Sequence, residues 1–248
     1  MIKITDTVKH LLIINVIMFV ATLAIGETQM FDLFALHYPD NPVFKVWQIV
    51  THMFMHGGFM HIAFNMFALW MFGSAVEQRL GSKKFLILYF AAGLGAVLFQ
   101  LGFYYFEYSR LIPDLQASGV SMEALMDIFK TGKWNFPTTE LLNEQINSAF
   151  QVYNATMVGA SGCIMGVLVA FGILNPNAEL MLIFLPIPIK AKYFIPGIIL
   201  LDVISAITGQ SFFSPSNTAY MAHVGGAVVG LLVMLFLKKN SFSKYRID

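Results

Sequence analysis

The sequence predicts an all-α, polytopic membrane protein built as a six-transmembrane-helix bundle. Composition is the first indication: 57% of the 248 residues are hydrophobic, 12% are charged and the mean hydropathy is +0.69. Soluble globular domains carry about 25% charged residues. The second indication is a series of six apolar segments, each long enough to cross a bilayer. We therefore expect one membrane domain over residues 1–248.

Charge and cysteine content exclude several classes of protein. The net charge is +1, from 15 Lys and Arg against 14 Asp and Glu, so no basic field favours a nucleic-acid partner. A single cysteine, Cys163, excludes an intrachain disulfide and a multi-cysteine metal cluster. Without a phosphate-binding glycine loop, we expect no cofactor.

The six predicted spans are 10–25, about 61–80, 85 to about 107, about 159–175, 193–209 and 220–237. The first is preceded by a lightly basic segment, but no convincing cleavage site follows it, so we interpret it as a retained helix. Several spans contain polar residues that would be costly against lipid. These residues should therefore face the interior of a helical bundle.

The basic residues indicate the orientation of the bundle, because Lys and Arg near helix ends resist translocation. The two termini and the second-to-third and fourth-to-fifth turns hold 11 of the 15 basic residues. The other connections hold only Lys45, Arg110, Lys130 and Lys133. We expect a multi-pass protein of a bacterial inner membrane with both termini in the cytoplasm, and spans two, four and six running inward from the outer side.

Two of the outer connections are long. Residues 27–60 are rich in aromatic and apolar side chains, which is typical of a segment lying partly in the membrane interface. Residues 108–154 are polar and contain helix patterns at 121–130 and 139–153, separated by Gly132, Trp134 and Pro137. We interpret about 108–154 as an extramembrane insertion of unassigned role.

Three spans place polar residues at a similar depth near their outer ends: Ser161 in span four, His223 in span six, and His61 with Asn65 in span two. Alone, Ser161 is better explained as a packing residue, since small residues let membrane helices approach closely. A lone intramembrane histidine is ambiguous, although ionisable groups there favour function. The presence of all four residues at a similar depth is what favours a catalytic role.

Glycine spacing indicates that Ser161 and His223 come together. Gly162 and Gly166 form a small face directly after Ser161, and Gly226 and Gly230 lie on the face of His223. Close packing of spans four and six would bring the hydroxyl to the imidazole. A serine becomes a nucleophile when a neighbouring base takes its proton, and a neutral histidine is the usual base.

His61 and Asn65 lie one helical turn apart, so both can point at one oxygen atom. Negative charge develops on such an oxygen during acyl transfer, and fixed donors stabilise it. The Asn65 amide and the Ser161 backbone N–H at a helix N-terminus are suitable donors. The alternative for His61 and Asn65 is an ordinary hydrogen bond between helices.

Three segments together resemble the rhomboid intramembrane serine proteases: THMFMHGGFMHIAFNMFALWMFGSAVEQRLGS, VGASGCIMG and AHVGGAVVG. The shared features are His52, His56 and His61 before Asn65, a Gly-x3-Glu-x3-Gly run through Glu77, the Gly-Ala-Ser-Gly around Ser161, and His-x2-Gly-x3-Gly from His223. Their order along the chain makes the resemblance specific.

The resemblance implies a Ser161–His223 dyad in a water-accessible cavity, hydrolysing peptide bonds in or near transmembrane segments of membrane-protein substrates. It implies that His61, Asn65 and the Ser161 backbone form the oxyanion site. Membrane lipid surrounds such a protein. The fifth span and residues 209–219, with Phe212 and Phe213, correspond to the family's gate and cap.

The sequence departs from the family pattern at two places. Met165, one turn below Ser161, replaces an aromatic residue that packs on the histidine in many relatives. Gln48 after Trp47 replaces a frequent arginine. These departures leave open the orientation of the histidine and any ion contact of the 27–60 connection with lipid.

Other interpretations compete with the protease. A zinc site could use His52, His56 and His61, although no HExxH pattern or adjacent acidic ligand accompanies them. A catalytically inactive relative that binds or escorts membrane clients would keep the fold, but typically loses the serine or the histidine. A transporter would show repeat symmetry or broken helices, which we do not find.

Asp202 is the one acidic residue well inside a predicted span. A carboxylate there could complete a Ser-His-Asp triad. However, span five runs outward, which places Asp202 about midway along it and deeper than His223. We therefore expect a structural hydrogen bond or a protonated carboxyl facing the bundle, and expect Asp202→Asn to keep most of the activity.

Overall fold

The computed structural model describes residues 3–182, 185–210 and 219–243. Within them, five helices are long and apolar enough to span a membrane. They are Asp6–Ile25, Phe59–Leu80, Ser82–Ala117, Ala191–Thr208 and Tyr220–Lys238. A sixth apolar helix, Ser161–Leu174, has 14 residues. The helical, six-helix membrane architecture predicted from the sequence is confirmed, and the chain is an integral multi-pass membrane protein.

The helical elements follow a simple order. They are α1 Asp6–Ile25, α2 Glu27–Phe34, α3 Gln48–Thr51, α4 Phe59–Ala68, α5 Ser74–Leu80, α6 Ser82–Ala117, α7 Met122–Thr131, α8 Glu140–Tyr153, α9 Ser161–Leu174, α10 Ala191–Thr208 and α11 Tyr220–Ser243. A π-helical turn, Leu69–Gly73, joins α4 and α5 into one span, and a 3₁₀ turn, His52–Phe54, follows α3.

Four short strands form two antiparallel pairs, which helix patterns could not predict. β1 (Leu36–His37) pairs with β2 (Thr156–Met157), with Leu36 opposite Met157. β3 (Glu179–Leu182) pairs with β4 (Leu185–Lys190) between α9 and α10, where the sequence suggested only a turn. The first pair ties the 27–60 connection to the chain just before α9.

The core of the bundle is formed where α6, α9 and α11 pack against one another. Small residues allow this. A Cβ atom added to Gly226 on α11 would overlap the carbonyl oxygen of Gly162 on α9, and one added to Gly230 would overlap Gly166. The predicted close approach of spans four and six through these four glycines is confirmed.

Glu77 on α5 connects three helices. Its carboxylate accepts hydrogen bonds from the hydroxyl of Thr5, from the Val8 N–H at 3.1 Å and from the Ser82 hydroxyl at 2.7 Å. Thr5 and Val8 lie at the start of α1, where N–H groups lack helical partners and a negative charge is favourable. This explains the glutamate in the Gly-x3-Glu-x3-Gly run.

The insertion differs in one respect from its prediction. α6 continues without a break to Ala117, ten residues beyond the predicted end near 107. At about 1.5 Å per residue its 36 residues exceed a hydrocarbon core of about 30 Å, so it extends out of the membrane. Its last turns bury Leu111 and Leu115 in a cluster with α7 and α8, and this tertiary packing explains the longer helix.

The two helices predicted inside the insertion are confirmed within one residue at each end. Each begins with a side-chain cap: the Ser121 hydroxyl accepts from the Ala124 N–H, and the Thr139 hydroxyl from the Leu142 N–H. The insertion is tied to the 27–60 connection, because the Tyr153 hydroxyl donates to the Asp40 carbonyl at 3.0 Å.

Candidate active site

A cavity of about 510 Å³ opens between the helices and is lined by every residue predicted for the site. Helix α4 supplies His61 and Asn65, α9 supplies Ser161 and α11 supplies His223. Other lining residues include Glu27, Phe31, His52, Gly93, Ala96 and Ala222. Three separate segments of the chain thus meet at one cavity.

Ser161 is the first residue of α9. A 14-residue helix rises about 21 Å, less than a hydrocarbon core of about 30 Å, so its first residue lies below the membrane surface if its other end reaches the opposite side. Backbone N–H groups at a helix start have no intrahelical acceptor, and the helix dipole gives this end of the helix a partial positive charge. The position therefore presents both a hydroxyl and an unpaired N–H to the cavity.

His223 contacts the hydroxyl directly. Its Nε2 lies 2.9 Å from the Oγ of Ser161. The side chain of His223 is 12% exposed, so the contact is largely shielded but borders the cavity. The crossing of α9 and α11 at their glycines is what brings these two side chains within hydrogen-bond distance.

Asp202 contacts His223, although the sequence predicted that it lies deeper in the bundle. The Oδ2 of Asp202 lies 2.9 Å from the Nδ1 of His223. Asp202 is six residues from the end of α10 and His223 three residues from the start of α11, an offset of about 5 Å at 1.5 Å per residue. The side chains of an aspartate and a histidine that point toward each other can bridge this offset. The ends of α10 and α11 also need not lie at the same depth.

His61 and Asn65 lie beside Gly159, two residues before Ser161. Gly159 has φ +121°, and a Cβ added there would lie 2.7 Å from the His61 Nε2 and 3.7 Å from the Asn65 Nδ2. The Gly57 N–H donates to the His61 Nδ1 at 3.4 Å, so a neutral His61 carries its hydrogen on Nε2. The Asn65 Nδ2 is buried and has no hydrogen-bond partner. The Asn65 Nδ2, which has no protein acceptor, and the His61 Nε2 thus border the same cavity.

His52 and His56 do not join a metal site. The His52 Nδ1 contacts the carbonyl of Gln48 at 2.9 Å, and the His56 ring lies edge-on to His61 at 5.0 Å. Burial lowers the pKa of His52 to about 4 and that of His56 to about 3, so both are neutral at neutral pH. In the part of the chain that the structure describes, no three His, Cys, Asp or Glu side chains are arranged to hold a metal ion.

The two departures from the family pattern have different outcomes. Met165 is buried in the core of the bundle, 6% exposed. Gln48 is fully buried and organises the connection before α4. It donates to the carbonyls of Asp32 at 2.9 Å and Val43 at 3.1 Å and accepts from the Lys45 N–H at 3.0 Å. Sequence reasoning missed this role, because the partners are backbone groups that no side-chain pattern reveals.

Replacing Gln48 by leucine should destabilise the protein by about 3 kcal/mol, because it leaves buried backbone donors and acceptors unpaired at about 1–3 kcal/mol each. Thermal unfolding in detergent measures the effect. Gln151→Leu is the matched control, since Gln151 is exposed on α8 and should tolerate the change. Equal thermal midpoints for the two variants would contradict the structural role of Gln48.

The predicted gate and cap falls mostly outside the described residues. Phe212 and Phe213 lie there, while Gly209 ends α10 and Ala219 lines the cavity. The fifth span itself is confirmed as α10.

Comparison with known proteins agrees with the helical membrane architecture. The family model described as a rhomboid domain matches residues 43–240. Rhomboid protease AarA of Providencia stuartii is 28% identical over 199 residues, which are 76% of this chain and 55% of that protein. Rhomboid protease GlpG of Salmonella paratyphi A is 41% identical over 75 residues, which are 29% of this chain and 26% of that protein. The chain thus spans about half of the first relative and about a quarter of the second. On the match to the family model, the chain belongs to the rhomboid family.

Proposed function

We propose that the protein is an intramembrane serine endopeptidase that hydrolyses peptide bonds in or near the transmembrane segments of membrane-protein substrates. The observation that carries the proposal is the 2.9 Å contact between the Ser161 Oγ and the His223 Nε2, inside a cavity within a membrane bundle. Relatives named rhomboid proteases support the same reaction class. An inactive client-binding relative would have no use for this contact.

The reaction follows from the positions of the groups. The Ser161 oxygen attacks the substrate carbonyl carbon while His223 Nε2 takes the hydroxyl proton. When the C–N bond breaks, His223 returns that proton to the leaving amine. His223 then takes a proton from a water molecule that attacks the acyl carbon. When the ester C–O bond breaks, this proton passes to the Ser161 oxygen and the second product leaves as the acid. The membrane is dry, so the cavity has to supply this water.

The oxyanion is the second requirement. In each tetrahedral intermediate the former carbonyl oxygen carries negative charge, which fixed donors stabilise. The Asn65 Nδ2, the His61 Nε2 and the Ser161 N–H are the donors we assign to it. Their lack of another acceptor supports this for Asn65, because a buried amide nitrogen without a partner is costly unless it is used.

The substrate is a membrane protein whose helix can open near its outer end. A peptide bond within a helix is shielded by its own hydrogen bonds, so residues that favour helix ends should promote cleavage. The outer location of the site and the cytoplasmic termini stay predictions, because they depend on the distribution of basic residues.

The test is reconstitution. Purified protein in liposomes, incubated with a panel of single-span substrates, should yield two fragments whose masses locate the cut near one end of the span. A fluorophosphonate should label Ser161, and a metal chelator should leave cleavage intact. Binding of substrates without cleavage or labelling would instead support the client-binding alternative, and chelator-sensitive cleavage would revive a metal mechanism.

Replacing Asn65 by alanine should lower kcat about 10²- to 10³-fold and change KM little, because its donor acts mainly on the transition state. His61→Ala should act in the same direction. Asn147→Ala is the matched control, since Asn147 is exposed on α8. Unchanged kcat in both site variants would return Asn65 and His61 to packing roles.

A further inference from the structure

Three side chains from three helices form one continuous hydrogen-bonded row. Asp202 on α10 contacts the Nδ1 of His223 at 2.9 Å, and the Nε2 of the same ring contacts the Oγ of Ser161 at 2.9 Å. The family resemblance implies only the last two members of this row. The carboxylate is an addition that the geometry itself reveals.

The burial of Asp202 makes the contact more than incidental. Asp202 is 1% exposed. A carboxylate in such a place is costly unless a donor or an opposite charge compensates it. The imidazole of His223 provides a partner that offsets this cost, at 2.9 Å from the carboxylate.

The contact also decides which ring nitrogen of His223 carries the hydrogen. An ionised carboxylate only accepts hydrogen bonds, so the Nδ1 has to donate to Asp202. The Nε2 of a neutral ring then presents its lone pair to the Ser161 hydroxyl, as a general base requires. After proton transfer, the resulting imidazolium faces the carboxylate, which stabilises its charge.

We propose that Asp202 is a positioning residue that holds His223 in its catalytic tautomer and orientation, so that this chain works with a Ser-His-Asp row rather than a dyad. The proposal rests on the proposed protease function. Asp202 is absent from the lining of the cavity and reaches the site through its contact with His223. It also answers the question raised by Met165, since the carboxylate can orient the ring where many relatives use an aromatic residue.

A purely structural hydrogen bond between α10 and α11 is the competing explanation. It predicts that loss of the carboxylate lowers the stability of the protein and affects kcat only through the folded fraction. The positioning role predicts a loss of kcat in protein that remains folded. The two explanations therefore differ in which quantity changes.

The experiment compares Asp202→Asn with Ser205→Ala, a change one turn away on α10 at another residue that is 1% exposed. Cleavage in liposomes gives kcat and KM, fluorophosphonate labelling gives the reactivity of Ser161, and rates are divided by the folded fraction. We expect Asp202→Asn to lower kcat and the labelling rate about 10⁴-fold with KM nearly unchanged, on the scale known for triad aspartates. Ser205→Ala should retain the wild-type rate per folded molecule.

A second comparison separates action through His223 from any other effect. In a His223→Ala background, with the fluorophosphonate concentration and reaction time raised until residual labelling of Ser161 is measurable, adding Asp202→Asn should cause no further loss, because the group it positions is already gone. Asp202→Ala serves as the second variant should the asparagine protein fold poorly, with the same expected loss per folded molecule.

The outcomes distinguish the two proposals. If the wild type cleaves and Ser161→Ala does not, but Asp202→Asn keeps its rate per folded molecule, only the role of Asp202 is overturned. A further loss in the His223→Ala background would overturn it as well. If the wild type neither cleaves nor labels, the protease function fails, and the role of Asp202 fails with it.

Discussion

Cleavage should stop in both Ser161→Ala and His223→Ala. The first variant removes the attacking oxygen and the second removes the base 2.9 Å away, so either change eliminates the covalent route. Loss of a serine-protease nucleophile or base lowers kcat by about 10⁶-fold where it has been measured, which is below detection for a slow membrane enzyme. Fragment yield in liposomes and fluorophosphonate labelling are the measurements.

The folded state should survive both changes. Ser161 is half-buried at the edge of a cavity, so loss of its hydroxyl removes little packing. Ser109→Ala is the matched control, because its hydroxyl makes only a local bond to the Phe106 carbonyl on an exposed face of α6. Cleavage that persists in Ser161→Ala would end the serine-protease proposal.

Adding one methyl group at the crossing of α9 and α11 should lower the stability of the protein about as much as the Gln48 change. A Cβ on Gly226 would overlap the carbonyl oxygen of Gly162, and backbone atoms cannot turn aside as a side-chain tip can. We expect Gly226→Ala to destabilise the protein by about 3 kcal/mol, at the upper end of overpacking effects. Separation of α9 from α11 should also reduce cleavage.

Gly102→Ala is the matched control for that substitution. Gly102 lies in α6 with nothing within 4 Å of an added Cβ, so alanine should be neutral or slightly stabilising there, as expected for a helix interior. Thermal unfolding in the same detergent should show a clearly lower midpoint for Gly226→Ala and an unchanged or slightly higher midpoint for Gly102→Ala. A Gly226→Ala protein as stable as the wild type would show that the crossing is looser than the structure indicates.

The sequence by itself determined the membrane class, the six spans and the elements that carry the candidate site. Hydrophobic length is a local property, so span boundaries were predicted within a few residues wherever the chain crosses the bilayer. The same holds for the insertion helices, whose Ser121 and Thr139 caps are local signals. The spacing of the glycines in α9 and α11 likewise predicted that these two helices pack closely.

Tertiary structure decided the features that depend on how neighbouring helices are offset and on which backbone groups a side chain meets. The pairing of Asp202 with His223 depends on how α10 and α11 are offset, which counting residues along each span could not predict. Gln48 satisfies backbone groups that lie up to 16 residues away, which no periodic pattern records. The extension of α6 to Ala117 depends on burial against α7 and α8. Local hydrophobicity fixes where a chain enters a membrane, but the distances between side chains on different helices arise only when the helices pack.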